Sequence, residues 1–276
     1  MPQRQPGRAR RYRLVLSLVI PCVVLAFAHV LYAASWRETS SQHFRVFYSD
    51  DAAFAAAVVD WAEYYYTQIT LDLGLQHVVK RDWAPWLWER RCRIYLYPTR
   101  EAYLQATRAP QWSGGMVNYR QRVVYSFMGA GAFLDKTLPH ELAHIVFREF
   151  VGFDNALVPR WLDEGVAQYA ETGRREESLE LLQQGVAQGV YLSLEQLHRL
   201  PLSHASGGTA QLFYAQAVTL VHFFLEQYGS RRFIELCQNL RDGRPLERAL
   251  AFATSGSVRS LADFEAAWYQ FIQRLS

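Results

Sequence analysis

The chain reads as an α+β domain in which a mixed antiparallel sheet with helices leads into a helical C-terminal half. Two observations predict this. Between His43 and Phe127, short apolar–polar alternations are separated by turn residues and by one long alanine-rich stretch. From Asp135 onward, apolar residues recur at helical spacing almost to the end. At 276 residues and 50% hydrophobic content, the chain can bury one sizeable core or two small ones. No internal repeat or low-complexity segment divides it, so residues 36–276 are expected to form one domain.

Residues 1–35 stand apart. Arg4, Arg8, Arg10, Arg11 and Arg13 precede an apolar run from Leu14 to Leu31, followed by Tyr32-Ala33-Ala34-Ser35. Basic residues before an apolar run form an export signal whose basic end stays cytoplasmic. Two fates are open. Small residues at Ala26/Ala28 or Ala33/Ser35 suit cleavage, and about eighteen apolar residues just span a bilayer as an uncleaved anchor. Pro21 directly before Cys22 disfavours a lipoprotein. Either fate places the rest of the chain outside the cytoplasm, in a bacterial periplasm or on the outer face of the inner membrane. Removing five arginines from a formal charge of +3 leaves −2 on the remainder, which carries no electrostatic footprint for nucleic acid. Three cysteines are too few and scattered for a disulfide scaffold. Cys92 and Cys237 are either a pair in an exported domain or two buried thiols.

Phe44–Tyr48 alternates like a strand. Asp50–Leu73 is a long helix stopped by Gly74. Val78–Arg91 is irregular, with Trp83, Trp86 and Trp88 read as packing residues. Arg93–Tyr97, ended by Pro98, is a strand, and Thr99–Thr107 a short helix. Met116–Tyr119 and Val123–Phe127 form a hairpin. A helix beginning near Asp135 keeps Pro139 in its first turn, where a missing N–H costs little. Further helices follow over Arg174–Gln188, Thr209–Tyr228, Ser230–Leu240 and Leu261–Leu275, with Gly207-Gly208 as a flexible joint.

The chemistry concentrates in His140-Glu141-Leu142-Ala143-His144 and Trp161-Leu162-Asp163-Glu164-Gly165. Residues four apart on a helix share a face, so the imidazoles of His140 and His144 can converge on one zinc ion, with Glu141 beside it. Glu164, twenty residues beyond His144, is the natural third ligand. Together they read as a His2Glu catalytic site with its fourth position open to water. A buried helix with two hydrogen-bonded histidines is the bland reading of the first block, and Glu164 weighs against it. Gln168 and Glu171 share a face with Glu164.

The blocks Leu138–His144 and Pro159–Ala167, and more weakly Phe213-Tyr214 through Tyr228-Gly229, resemble the gluzincin metallopeptidases. The likeness is greatest to the small bacterial peptidase MA-like family, which resembles reduced thermolysin and M1 aminopeptidase catalytic domains. It runs from about His43 to Tyr228. It implies a zincin-like domain that hydrolyses a peptide or protein substrate with Zn2+, using Glu141 as general base. In thermolysin-like enzymes an aspartate four residues beyond the ligand glutamate orients a histidine; Gln168 stands there, so Glu171 either substitutes or is a solvated helix residue, the latter slightly favoured. Tyr214, downstream of the third ligand, is the candidate oxyanion donor, against a packing role among Leu212, Phe213 and Val218. His204 and His222 are lesser candidates. The strand before the zinc helix is expected at a sheet edge, pairing with extended substrate. Gly114-Gly115-Met116-Val117-Asn118 is similar to the G-x-M-E-N segment of M1 aminopeptidases, with Val117 replacing the amine-binding glutamate. Two other functions stay open: a zinc hydrolase of another amide, such as cell-wall material, and a non-catalytic binding protein, which the intact Glu141 counts against.

Overall fold

A computed structural model describes residues 36–78, 90–111, 113–202 and 205–275. Leu14–Leu31, Cys22, Trp83, Trp86, Trp88 and His204 lie outside the described residues, and so does the test of what was expected of them. Among the described residues, no helix is long and apolar enough to cross a membrane.

Five strands form one sheet, in the order β1-β2-β3-β5-β4. They are β1 (Arg37–Ser40), β2 (Phe44–Tyr48), β3 (Cys92–Tyr97), β4 (Met116–Asn118) and β5 (Val123–Phe127). The sheet is mixed: the two outer pairs are antiparallel, and β2–β3 and β3–β5 run parallel. Parallel neighbours need long crossovers, and helix α1 (Ala52–Asp72) and helix α2 (Arg100–Thr107) lie within them. Phe44, Val46, Cys92, Ile94, Leu96 and Val124 are fully buried. On the alternate positions Phe47, Tyr95 and Tyr125 stack in register across three strands, at 4.7 and 5.6 Å. Such cross-strand pairs hold register. β4 is an edge strand, near Met116–Tyr119 as expected, but β5, the strand directly before the zinc helix, is paired on both sides, by β3 and β4. The polar β1 pattern, Arg-Glu-Thr-Ser, lacks the alternation that would have disclosed it.

Asp51 caps α1 through Phe54 N–H, and Thr99 caps α2 through Ala102 N–H. A π-helical turn over Phe133–Thr137 leads into α3 (Leu138–Val151), leaving Pro139 in the first turn as expected. Then follow α4 (Arg160–Tyr169), α5 (Arg174–Ala187), the short α6 (Leu194–Arg199), α7 (Gly207–Arg241), α8 (Leu246–Ala253) and α9 (Leu261–Arg274). The two helices expected over Thr209–Tyr228 and Ser230–Leu240 run on as α7 across a kink at Gly229, where φ is 78° and ψ 164°. That backbone favours glycine. The expected joint at Gly207-Gly208 is instead the first turn of α7, capped by the Ser206 side chain. α6 and α8 were not anticipated; eight residues or fewer give little periodicity to detect.

α7 runs through the helical half with Phe213, Val218, Leu220, Phe223 and Phe224 buried. Trp268 of α9 donates its indole N–H to Thr219 Oγ1 at 3.1 Å, so its polar atom is satisfied inside the core. Cys92 and Cys237 are both buried and free, which decides for two thiols rather than a pair. Burial pushes both thiols up in pKa and keeps them unreactive.

Candidate metal centre

α3 presents His140 and His144 on one face, as the four-residue spacing requires. Leu142, Ala143, Ile145, Val146 and Phe147 bury the other sides. α4 packs closely against α7 because Gly165 has no side chain: a Cβ there would sit 2.4 Å from the carbonyl oxygen of Ala217 on α7. Trp161 and Leu162 are buried on the same helix, and Glu164 directly precedes the close contact.

The donor atoms of His140, His144 and Glu164 all lie within 4.8 Å of one another. The two Nε2 atoms are 3.2 Å apart, and Glu164 Oε2 is 3.9 Å from His140 Nε2 and 3.7 Å from His144 Nε2. What lies behind the rings decides what faces this point. His140 Nδ1 is 2.8 Å from Glu171 Oε1, and His144 Nδ1 is 3.0 Å from Asp163 Oδ1. An ionised carboxylate can only accept, so each Nδ1 carries the proton. A ring that is neutral, as a metal ligand must be, then turns its Nε2 lone pair inward, so that two lone pairs and a carboxylate meet at one point. Such a donor set suits a divalent cation, and imidazole with carboxylate is a zinc set.

Arg148, one turn beyond His144, donates to Asp163 Oδ2 from Nε at 3.0 Å and from Nη2 at 2.8 Å. Burial works against the Asp163 charge, but the His144 bond and the Arg148 guanidinium outweigh it and hold its carboxyl below the usual range. Glu171 follows the end of α4, and its loop is pinned to the approach to α3. Thr172 N–H donates to Asp135 O at 3.1 Å, and Lys136 Nζ donates to Thr172 O at 2.8 Å. Glu171 is therefore not a solvated helix residue; it holds His140. Gln168 does not take that place, since its amide oxygen accepts from Arg174 Nε at 2.6 Å. The sequence reading missed Asp163 and Arg148. The signal was an acid directly before the third ligand and a base four residues after the second histidine.

Glu141 lies beside the cluster with its Oε2 buried and without a hydrogen-bond partner. Burial raises its pKa, with Glu164 and Glu171 adding to the effect and the two histidines opposing it. A buried carboxylate oxygen without a partner is costly. Tyr214 is half-buried on α7, its ring edge-on to Phe213 at 5.4 Å. Burial and the nearby Glu164 charge raise its pKa, so it stays a protonated donor. His222 lies apart, between the rings of Tyr169 and Phe271.

A mixed sheet leads into helices that carry two histidines on one helix and a glutamate on the next, an arrangement that fits a metallopeptidase-type domain. The chain belongs to the Peptidase MA superfamily: the family model of that description matches residues 87–274, well over half of its length. That superfamily is generally zinc-dependent. No curated protein matches the chain.

Proposed function

We propose that the domain is an exported zinc endopeptidase or processing peptidase, with His140, His144 and Glu164 holding the metal. The supporting observation is the convergence of those three donors on one point, each ring backed by a carboxylate. A zinc ion held there would supply Lewis-acid activation of water and of the scissile carbonyl. Glu141 takes the proton from the attacking water and passes it to the leaving amine nitrogen as the C–N bond breaks. Its partnerless oxygen suits that exchange, because no protein group competes for it. Tyr214 is the donor on the α7 side for the oxygen that gains negative charge. Asp163 and Glu171 fix ring orientation and tautomer.

Glu171→Ala should weaken zinc binding about 10- to 100-fold, the usual effect of losing a partner behind a ligand histidine. Competition against a chelator measures this, and an unchanged affinity would remove Glu171 from the assembly.

Substrate mode follows from the edge strand. Among the described residues β4 is paired on one side only, by β5, and its other side suits an extended chain, which needs no terminus to bind. Val117 offers no carboxylate to a substrate ammonium, and holding that cation in a site with little water requires a paired charge. Blocking the N-terminus of a cleaved peptide should therefore leave its rate within a few-fold. A hundredfold loss, about 2.7 kcal/mol of transition-state binding, would mean that the amine is recognised.

Export rests on the arginine cluster and the Leu14–Leu31 run. A topology reporter fused after Ser276 should be active only outside the cytoplasm. Activity confined to the cytoplasm would overturn this placement.

A further inference from the structure

We propose that Tyr119 is a second catalytic hydrogen-bond donor, binding the oxygen of the scissile carbonyl. The inference rests on the peptidase reading of the same site and adds a residue that no sequence motif marks.

Tyr119 directly follows the edge strand β4, in the turn that returns to β5. Its ring lies edge-on to His144, with centroids 5.5 Å apart. It is the one large side chain of this turn that leans over a proposed metal ligand while keeping 37% of its surface exposed. A purely packing tyrosine at this place would be expected to bury its ring or to tie its hydroxyl to a neighbour.

The turn is rigid where the inference needs it to be. Arg122 N–H donates to Tyr119 O at 3.1 Å, and Gln121 N–H donates to Asn118 Oδ1 at 3.1 Å. Arg122 then clamps the hairpin onto the metal helix, with Nε and Nη2 donating to Glu149 of α3 at 2.9 and 2.6 Å. The Glu149 side chain is only 8% exposed, and Arg90 pairs with it as well. A forked arginine–carboxylate pair fixes direction as well as distance. Tyr119 is thus tied to the helix that carries His140, Glu141 and His144, five residues before Glu149 at the nearest. An extended substrate laid along β4 reaches Tyr119 as it reaches the histidines. Donors aimed in advance at developing charge cost no reorganisation during the reaction.

Tyr119→Phe keeps the ring against His144 and removes only the hydroxyl. On the best-cleaved sequence from a peptide library, kcat should fall by 10- to 100-fold, with KM and zinc content within about twofold of wild type. Binding gives an independent readout. A phosphinic pseudopeptide of that sequence, which carries its charge where the tetrahedral species would, should bind the zinc-loaded variant at least tenfold more weakly by calorimetry. Equal turnover and equal phosphinic affinity in the two proteins would overturn the role of Tyr119 and leave the peptidase reading standing. A wild-type protein that cleaves nothing in the library and ignores a phosphinic pseudopeptide library would overturn both.

Discussion

Glu141→Gln retains zinc and lowers kcat by about a thousandfold, roughly 4 kcal/mol of transition-state stabilisation. The substitution is nearly isosteric, and among the described residues the ligand histidines bond to Glu171 and Asp163, not to Glu141, so the histidine geometry is untouched. What disappears is the base. An amide cannot take a proton from water and return it to an amine. His144→Ala behaves differently, losing metal and activity together because it removes a donor. Metal content and single-turnover rate, measured side by side, separate the two roles. Undiminished turnover in the Glu141 variant would refute the mechanism whatever its zinc content.

Gly165→Ala destabilises the fold by about 3 kcal/mol, at the upper end of overpacking costs. The new methyl carbon would stand 2.4 Å from Ala217 O and 2.9 Å from Val221 Cγ2, so α4 and α7 must part. A backbone oxygen cannot swing aside as the end of a side chain can. Glu164 precedes this glycine, and a shift of α4 carries the ligand away from the histidines, so zinc affinity falls too. Gly208→Ala is the control: it lies in the first turn of α7 with nothing within 4 Å of its Cβ position, and gains up to about 1 kcal/mol from helix propensity. Urea unfolding of both variants measures the difference. A Gly165 variant within about 0.5 kcal/mol of wild type would show that the close approach does not hold the site together.

The parts of this molecule legible in its sequence are those governed by local periodicity. The His140–His144 spacing, the terminating glycine after α1, the hairpin around Asn118–Arg122 and Pro139 in a first turn all follow from backbone geometry over a few residues. The groups that complete the site are not local. Asp163 and Glu164 are adjacent, yet one reaches behind His144 and the other in front of it, a division set by how α4 lies against α3. Glu171 reaches His140 because Asp135 and Lys136 hold its loop, 31 residues from the histidine in sequence. Gln168, on the face expected to serve, is taken up by Arg174. The Arg122–Glu149 clamp joins a hairpin to a helix across 27 residues, and no pattern in either segment announces the other. Pairings of this kind depend on tertiary packing, which single-segment periodicity does not encode.

The central claim is one zinc ion held by His140, His144 and Glu164. A structure of the zinc-loaded protein, with the metal identified by anomalous scattering at the zinc edge, tests it most directly. The expected result is one zinc per chain with Nε2 of both histidines and a Glu164 oxygen about 2.0–2.2 Å away. Zinc held elsewhere, or none held at stoichiometric metal while these three side chains keep their present positions, would contradict it.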